Sequence, residues 1–173
     1  MNLIITCARH LEEEADSEVI KILEKIGDQE PKSTITKMPG IILVDTSIDP
    51  FVVTRKIKEI IEEEPWQIRY IMRVIPIERF IETKNEEITN NVQDLIQKIG
   101  KEETYRISVK KRHSLISSRQ IITEIAIRVK NKVNLENPSW IILIEIFGSK
   151  TGVSVLHAQD IVSVEKTKRS LLE

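Results

Sequence analysis

The stretch WIILIEIF (Trp140–Phe147) is a nearly continuous apolar run. Runs of this length and composition are typical of a central strand that is buried on both faces of a sheet. Turn residues at Asn134–Pro138 precede it, and Gly148–Gly152 turns the chain after it toward a last short strand, Val153–His157. The C-terminal half is therefore predicted to be built around a sheet that contains Trp140–Phe147.

Upstream of this run, residues 105–110 (YRISVK) alternate apolar and polar side chains, which predicts a half-buried strand with one basic face. The helix before it is expected to end at Gly100. The helix after it is expected to begin at Ser117, which has the capping-box spacing from Gln120. The residues that this helix should turn inward are Ile121, Ile122, Ile125, Ala126 and Val129. The tail from Glu165 is charged and is expected to fray.

The N-terminal part predicts the order strand–helix–strand–strand–helix–strand. The expected strands are Leu3–Ala8, Ser33–Lys37, Ile41–Asp45 and Trp66–Ile77. The first helix should end at Gly27, and the second should begin at Asp49-Pro50, where an N-cap residue precedes a proline. This order is that of a ferredoxin-like α+β unit, which would extend to about residue 75.

Composition describes a soluble globular protein of 173 residues, with 40% hydrophobic and 31% charged residues. No apolar run approaches the roughly 18–20 residues that cross a bilayer, and the N-terminus lacks the pattern of a secretory signal. The single cysteine, Cys7, excludes an internal disulfide framework and fits a reducing compartment. The sequence therefore predicts a cytoplasmic protein without a membrane partner.

Charge is distributed unevenly along the chain. Residues 1–64 hold 8 Lys and Arg against 14 Asp and Glu, whereas residues 65–173 hold 18 against 13. Within residues 101–132 there are 9 basic and 3 acidic residues. This asymmetry is typical of a chain that reserves one half for an anionic partner. The alternative is that the lysines and arginines only solvate helix faces.

Signatures of enzymes are mostly absent. The sequence contains no phosphate-binding GxxxxGK[ST], no GxGxxG, no GxSxG and no CxxC pair, and it indicates no cofactor. Cys7 and His10 lie three residues apart, but two ligands without a second pair make a poor metal site, so Cys7 is expected to be a small core residue. No nucleophile, general base or metal site is predicted.

The segment RISVKKRHSLISSR (Arg106–Arg119) combines three features of an anion site. The polar strand face carries Arg106, Ser108 and Lys110; the loop that should follow carries Lys111, Arg112 and His113; the helix start carries Ser117, Ser118 and Arg119. Free backbone N–H groups and the helix dipole favour an anion at such a start. Together these residues predict a phosphate cradle, the type of contact that dominates affinity for nucleic acids. The alternative is a solvated strand edge beside an ordinary capped helix.

Aromatic residues make up only 4% of the chain. Trp66, Tyr70 and Trp140 lie within apolar patterns and are expected in the core. Recognition of RNA is therefore expected to use phosphate, 2′-OH and shape rather than a platform of stacked aromatic rings.

From Ile68 to Val164 the sequence resembles a THUMP domain. The segments that carry the resemblance are RVIPIERF (Arg73–Phe80), YRISVKKRHSLISSRQII (Tyr105–Ile122), VNLENPSWIILIEI (Val133–Ile146) and GVSVL (Gly152–Leu156). The Asn-Pro turn before an apolar strand that ends in Glu-Ile is its most specific part. The resemblance implies an α+β protein in which an N-terminal ferredoxin-like domain (1–67) is followed by an α/β THUMP domain (68–165) and a charged tail (166–173).

THUMP domains bind the acceptor arm and 3′ end of tRNA in enzymes such as thiouridine synthases, methyltransferases and pseudouridine synthases. This chain is similar to the branch that acts as a non-catalytic adaptor for tRNA cytidine acetyltransferase, because RVIPIE (Arg73–Glu78) and the KxRxxxxISR-like segment (Lys110–Arg119) resemble that branch. With no catalytic domain expected in 173 residues, the resemblance implies tRNA and a separate acetyltransferase as partners.

Carried over by position, the resemblance implies a set of RNA-contacting residues. They are Lys110, Lys111, Arg112, His113, Ser117, Ser118 and Arg119, to which Arg73, Lys150 and Gly152 are added. Gly152 would allow the backbone to approach RNA closely.

Two other functions stay open on the sequence. The chain could be the RNA-binding subunit of a split tRNA methyltransferase or thiolation enzyme. It could also be a ferredoxin-like regulatory protein that binds a small molecule, which would require a closed apolar pocket.

Overall fold

The computed structural model describes all residues from Met1 to Glu173. The chain forms two compact units, a first unit of Met1–Ile77 with Gln159–Glu173 and a second unit of Glu78–Ala158. The elements in chain order are β1 (Leu3–Cys7), α1 (Glu12–Lys25), β2 (Lys32–Ile35), β3 (Ile41–Asp45), α2 (Pro50–Glu63), β4 (Ile71–Pro76), β5 (Arg79–Glu82), α3 (Asn85–Leu95), β6 (Tyr105–Arg112), α4 (Ser118–Arg128), β7 (Trp140–Phe147), β8 (Lys150–Leu156), β9 (Val162–Ser163) and α5 (Val164–Ser170). None of the helices combines the length with the apolar character that crossing a membrane requires.

The first unit contains the predicted ferredoxin-like arrangement. Its antiparallel sheet has the strand order β2-β3-β1-β4-β9, and α1 and α2 contribute to the core that covers it. The first four strands with α1 and α2 reproduce the βαββαβ order. Both helix boundaries are confirmed: the Asp49 side chain accepts a hydrogen bond of 2.8 Å from the Phe51 N–H, and Gly27 follows α1 with a φ of 110°.

The predicted strand Trp66–Ile77 is too long. A short 3₁₀ helix occupies Pro65–Gln67, and β4 begins only at Ile71. The reason lies in Glu18, whose carboxylate accepts the backbone N–H groups of Arg69, Tyr70 and Ile71 at 2.9–3.3 Å, so these donors bind a side chain at the start of the strand.

Of the three aromatic residues expected in the core, Trp66 is misplaced. Its side chain is 68% exposed on the 3₁₀ helix. Tyr70 is half-buried against the core of the first unit, and Trp140 is half-buried against the core of the second. The apolar pattern around Trp66 fails to indicate its burial because the local backbone is not a strand.

The tail from Glu165, expected to fray, forms helix α5 instead. Val164 is buried at its start, and the Lys168 ammonium donates to the Ile68 carbonyl. Glu165 and Arg169 form an ion pair one helical turn apart. These contacts give the segment a packed position that its charged composition does not suggest.

The boundaries of the two compact units differ from those of the predicted domains, which were 1–67, 68–165 and a tail of 166–173. Strand β4 pairs with β1 from Leu3↔Pro76 to Cys7↔Ile71, which ties residues up to Ile77 to the first unit. Strand β9 then returns to pair with β4, as Arg73↔Ser163 and Val74↔Val162. Such pairings over long sequence separations leave no local signal in the chain.

The second unit holds a four-stranded sheet with the order β5-β8-β7-β6. Strand β7 lies inside it as predicted, parallel to β6 and antiparallel to β8. Helices α3 and α4 pack on one face, against Ile142, Ile144 and Ile146 of β7. Strand β8 begins at Lys150 rather than Val153, and β5 was not predicted.

Helix α4 begins at Ser117, whose hydroxyl oxygen accepts a 3.2 Å hydrogen bond from the Gln120 N–H, as the capping prediction required. The prediction of its inner face is only partly right. Ile121, Ile125 and Val129 are buried, whereas Ile122 is 39% exposed and Ala126 is also exposed. The helix turns about 100° per residue, so only the side chains spaced by four face the sheet squarely.

Asp28 is a buried carboxylate held by hydrogen bonds in the loop after α1. It accepts from the Thr46 hydroxyl at 2.5 Å, from the Ser47 hydroxyl at 2.8 Å and from the Ser47 and Glu30 N–H groups at 3.1 and 3.2 Å. Burial alone would raise the pKa of Asp28, but the hydrogen bonds from Thr46 and Ser47 outweigh it and the pKa is lowered.

Asp28→Asn is therefore expected to destabilise the chain at neutral pH and to cost less as the pH falls. Because the folded pKa lies below the unfolded value of about 3.9, the stabilisation by Asp28 is present above that value and is lost as pH falls through the folded pKa. Urea unfolding of both forms at pH 7, 5 and 3 measures the difference. Asp94→Asn, at a side chain that is 70% exposed, is the control. Equal destabilisation by Asp28→Asn at all three pH values would contradict the conclusion that the ionised Asp28 carboxylate stabilises the fold.

Candidate nucleic-acid interface

Strand β6 extends two residues further than predicted and includes Lys111 and Arg112, which were expected in a loop. Pairing with β7 continues to its last residue, so that Arg112 lies beside Phe147. The correction changes the direction of both side chains, because alternation places Arg112 on the same face as Lys110 and places Lys111 on the opposite face. Of the predicted loop cations, only His113 lies beyond the strand.

Five predicted residues lie on one face of this sheet, the face away from α3 and α4, which we call the polar face after them. They are Arg106, Lys110, Arg112, Lys150 and Gly152. On the same side the central strand places the buried Ile141, Leu143 and Phe147, and Gly152 is itself buried. In register, Lys110 and Gly152 flank Glu145, and Arg112 and Lys150 flank Phe147. Paired residues of neighbouring strands point to the same side, so the structure brings Lys110 and Arg112 of β6 close to Lys150 and Gly152 of β8, about 40 residues later in the sequence. Arg106 pairs with Ile141 and lies further along the same face.

The β6–α4 loop (residues 113–117) connects the polar face to the start of α4. His113 adopts a φ of 53°, an unusual conformation for a residue other than glycine. The Lys111 ammonium donates to the Ile116 carbonyl at 2.9 Å, and the Ser114 hydroxyl accepts from the Ile116 N–H at 3.3 Å. The loop is thus held by its own hydrogen bonds.

The start of α4 offers N–H groups to an anion. Ser117 precedes the helix, and Ser118 and Arg119 are its first residues, with Arg119 exposed. The first N–H groups of a helix lack partners within it, and its dipole favours negative charge there. Because the Ser117 oxygen already accepts from Gln120, its hydroxyl hydrogen is the part available to an incoming phosphate oxygen.

Leu115 was not predicted as a site residue, yet it is fully exposed in the middle of the β6–α4 loop. An apolar side chain in this place can contact the sugar or base of a nucleotide whose phosphate lies at the helix start. The signal in the sequence was an apolar pair, Leu115-Ile116, between the polar residues of the loop.

Arg112 is the most strongly fixed of the predicted cations. Its guanidinium Nη1 donates to Glu145 Oε2 at 2.9 Å, and its Cζ lies 5.2 Å from the centre of the Phe147 ring. Its backbone carbonyl accepts from the Gly148 N–H at 2.9 Å. Glu145 is 1% exposed, and its other oxygen, Oε1, is buried without a hydrogen-bond partner. Glu145 was missed in the sequence, where the one charged residue inside an apolar strand was its signal.

Two other predicted cations also have partners within the second unit. Lys150 forms an exposed ion pair with Glu82, and the hydrogen bond from Lys150, followed by its charge, lowers the pKa of Glu82. The guanidinium of Arg106 donates to the Leu135 carbonyl at 3.0 Å. Lys150 therefore adds less net positive charge to the polar face than the sequence suggests.

Arg73 lies in the first unit and is not part of the polar face. It belongs to β4, at a depression of about 340 Å³ that is also lined by Arg69, Lys168 and the acidic Glu165. This local group of cations was not predicted, because Lys168 approaches β4 only through the folding of α5. Net charge differs between the units: the first has 13 Lys and Arg against 17 Asp and Glu, the second 13 against 10.

Cys7 is buried in the core of the first unit, as expected for a small core residue. Burial raises the pKa of its thiol, and the negative charges of Glu12 and Glu14 add to the increase. No group of three or more His, Cys, Asp or Glu side chains is arranged to hold a metal ion.

Residues 82–156 match the family described as the THUMP domain. The chain is also 28% identical over 140 residues to an uncharacterized protein of Methanocaldococcus jannaschii, an alignment that covers 78% of this chain and 36% of that protein. It thus spans about a third of the length of this curated relative.

Two solved structures share the fold of the chain. PH1313 from Pyrococcus horikoshii superposes with a TM-score of 0.71 at 14% identity, over 94% of this chain and 55% of its own. A 4-thiouridine synthetase, solved as a complex with RNA and bound ATP, superposes with a TM-score of 0.56 at 12% identity, over 94% of this chain and 42% of its own. The family match confirms the THUMP part of the resemblance drawn from the sequence: residues 82–156 form a THUMP domain, which lies within the second unit.

Proposed function

We propose that this chain is a cytoplasmic tRNA-binding adaptor with no catalytic activity of its own. It presents the acceptor arm and 3′ end of tRNA to a separate cytidine acetyltransferase, which forms N4-acetylcytidine. The observation that carries the proposal is a THUMP domain in which Lys110 and Arg112 of the polar face, the β6–α4 loop and the start of α4 follow one another within Lys110–Arg119.

These parts suit the chemistry of an RNA backbone. Lys110, Lys111 and Arg119 are exposed, and Ser117 and the first N–H groups of α4 supply hydrogen-bond donors. Phosphate contacts of this kind provide affinity and fix the register of a nucleic acid without reading its sequence. The 4-thiouridine synthetase that shares this fold was solved with RNA, which supports RNA as the ligand.

Acetylation as the reaction served is supported by similarity in sequence alone. RVIPIE (Arg73–Glu78) and the segment Lys110–Arg119 resemble the adaptor branch of tRNA cytidine acetylation. In this assignment the partner enzyme uses acetyl-CoA and ATP, and the chain contributes only binding and orientation of the tRNA. Binding of the purified chain to total tRNA over a salt series tests the RNA function: affinity that falls as salt rises is expected, and no binding at low salt would contradict it.

A second candidate keeps the tRNA and changes the enzyme. The likeness in fold to a 4-thiouridine synthetase favours an RNA-binding subunit of a split thiolation enzyme or, by the same logic, of a split methyltransferase. Deleting the gene and profiling nucleosides in tRNA separates the candidates. Loss of N4-acetylcytidine alone is the expected outcome, whereas loss of a thiolated or methylated nucleoside with acetylcytidine intact would replace acetylation with the second candidate.

A small-molecule regulatory role has less support. The depression of about 390 Å³ beside α1 is lined by Glu14, Glu18, Lys21 and Lys25 as well as by apolar atoms. The Glu18 carboxylate there is already used by the backbone N–H groups before β4. Such a charged depression differs from the enclosed apolar pocket that typically holds a small ligand.

A further inference from the structure

We infer that Glu145 is a positioning residue for RNA binding, which holds the guanidinium of Arg112 in place for a phosphate of the bound RNA. The inference rests on the proposed function and adds to it a residue that lies beneath the binding surface. Glu145 occupies the central strand β7, and Arg112 is the last residue of the neighbouring strand β6.

Three contacts fix Arg112 from β7 and the residue after it. Glu145 Oε2 accepts from Nη1 at 2.9 Å, the Phe147 ring lies 5.2 Å from the guanidinium carbon, and Gly148 binds the Arg112 carbonyl. A guanidinium has five N–H donors in a planar fork, and the bond to Glu145 uses one nitrogen. The Arg112 side chain is 29% exposed, so part of it faces solvent while its partner does not.

The burial of Glu145 needs an explanation. Its side chain is 1% exposed and Oε1 has no hydrogen-bond partner, although burying a carboxylate is unfavourable unless it is paired. An apolar residue would continue the strand WIILIEIF with less cost. A carboxylate in this place does what an apolar side chain cannot: it restricts Arg112 to one orientation, so that less conformational entropy is lost when RNA binds.

Charge and geometry make opposite predictions for Glu145→Gln. If Glu145 acts only through its negative charge, removing it leaves the region more positive and tRNA binds as tightly or more tightly. If Glu145 positions Arg112, the neutral amide holds the guanidinium less firmly and tRNA affinity falls, by roughly tenfold. The slope of log Kobs against log salt should also decrease, by about 0.7–0.9 for one lost phosphate contact.

The experiment is a double-mutant cycle on the full chain. Binding to total tRNA is measured over a salt series for the native chain, Glu145→Gln, Arg112→Ala and the double variant. The titrations are made at a temperature at which circular dichroism shows all four to be fully folded, so that differences in stability do not enter the affinities. Glu124→Gln, the same chemical change on α4, is the control and is expected not to weaken binding. Its amide oxygen can still accept the hydrogen bond from Gln120.

The expected result is that Glu145→Gln weakens binding in the native chain and has no further effect in the Arg112→Ala background. Unchanged or tighter binding by Glu145→Gln overturns the inference while leaving tRNA binding intact. An equal loss in both backgrounds also overturns it, since Glu145 would then act through stability of the unit. Failure of the native chain to bind tRNA overturns the proposed function itself, a result that the first titration identifies.

Discussion

Replacing Arg112 with alanine is expected to destabilise the second unit by about 3 kcal/mol. The loss follows from what stays behind: Glu145 is 1% exposed, and its carboxylate loses the ion pair that it makes with Arg112 at 2.9 Å. Breaking a buried pair from one side leaves an uncompensated charge, which costs far more than the loss of an exposed pair. The packing of the guanidinium on Phe147 is lost as well.

Urea unfolding of the native and Arg112→Ala chains gives the free energy of unfolding directly. Adding Glu145→Gln to Arg112→Ala is expected to recover part of the loss, because a neutral amide is cheaper to bury than an unpaired carboxylate. Lys150→Ala is the matched control: it removes the exposed ion pair with Glu82 and should change stability by less than about 1 kcal/mol. Equal effects of Arg112→Ala and Lys150→Ala would contradict the role assigned to the buried pair.

The ion pair between Arg112 and Glu145 also shows which parts of the site could be predicted from the sequence. Alternation in residues 105–110 located the basic face, and the spacing of Ser117 and Gln120 located the start of α4. Both are local patterns. The ion pair between Arg112 and Glu145 joins residues 33 apart, and it depends on a parallel pairing of β6 with β7 whose register the sequence does not indicate.

The fold shows the same division. The order of elements in the first unit was predictable because periods of 2 and 3.6 residues and the turn residues all agree there. Strand β9 and helix α5 were missed, since Val162–Ser163 is too short to show a period and α5 is stabilised by contacts with β4 and Ile68. For Trp66 the local pattern gave a wrong prediction: the residue lies in an apolar stretch and was expected in the core, but the backbone turns its side chain toward solvent.

The second large effect is expected from removing three cations together. Lys110→Ala, Lys111→Ala and Arg119→Ala in one chain should weaken tRNA binding by roughly a hundredfold at low salt. The slope of log Kobs against log salt should become shallower by about 2–3. Each phosphate that is no longer contacted keeps its counterions, so fewer counterions are released on binding. Arg112 is left in place, since its replacement is expected to destabilise the second unit. Because Lys111 also donates to the Ile116 carbonyl, circular dichroism checks that the triple variant keeps its fold.

The control for this variant removes equal charge elsewhere. Lys21, Lys32 and Lys37 are exposed on the first unit, and their combined replacement by alanine should reduce affinity and slope far less. Similar losses in the two triple variants would mean that general charge, rather than the residues from Lys110 to Arg119, attracts the RNA. Both triple variants are titrated over the same salt concentrations, because salt screens the charge interactions that the comparison measures.

The most direct test of the central claim, that the THUMP domain makes this chain a tRNA-binding protein, is titration of the native chain with total tRNA from low to physiological salt. Binding is expected at low salt, and log Kobs is expected to fall linearly with log salt with a slope of several units. Absence of binding at the lowest salt, or binding that does not change with salt, would contradict the claim.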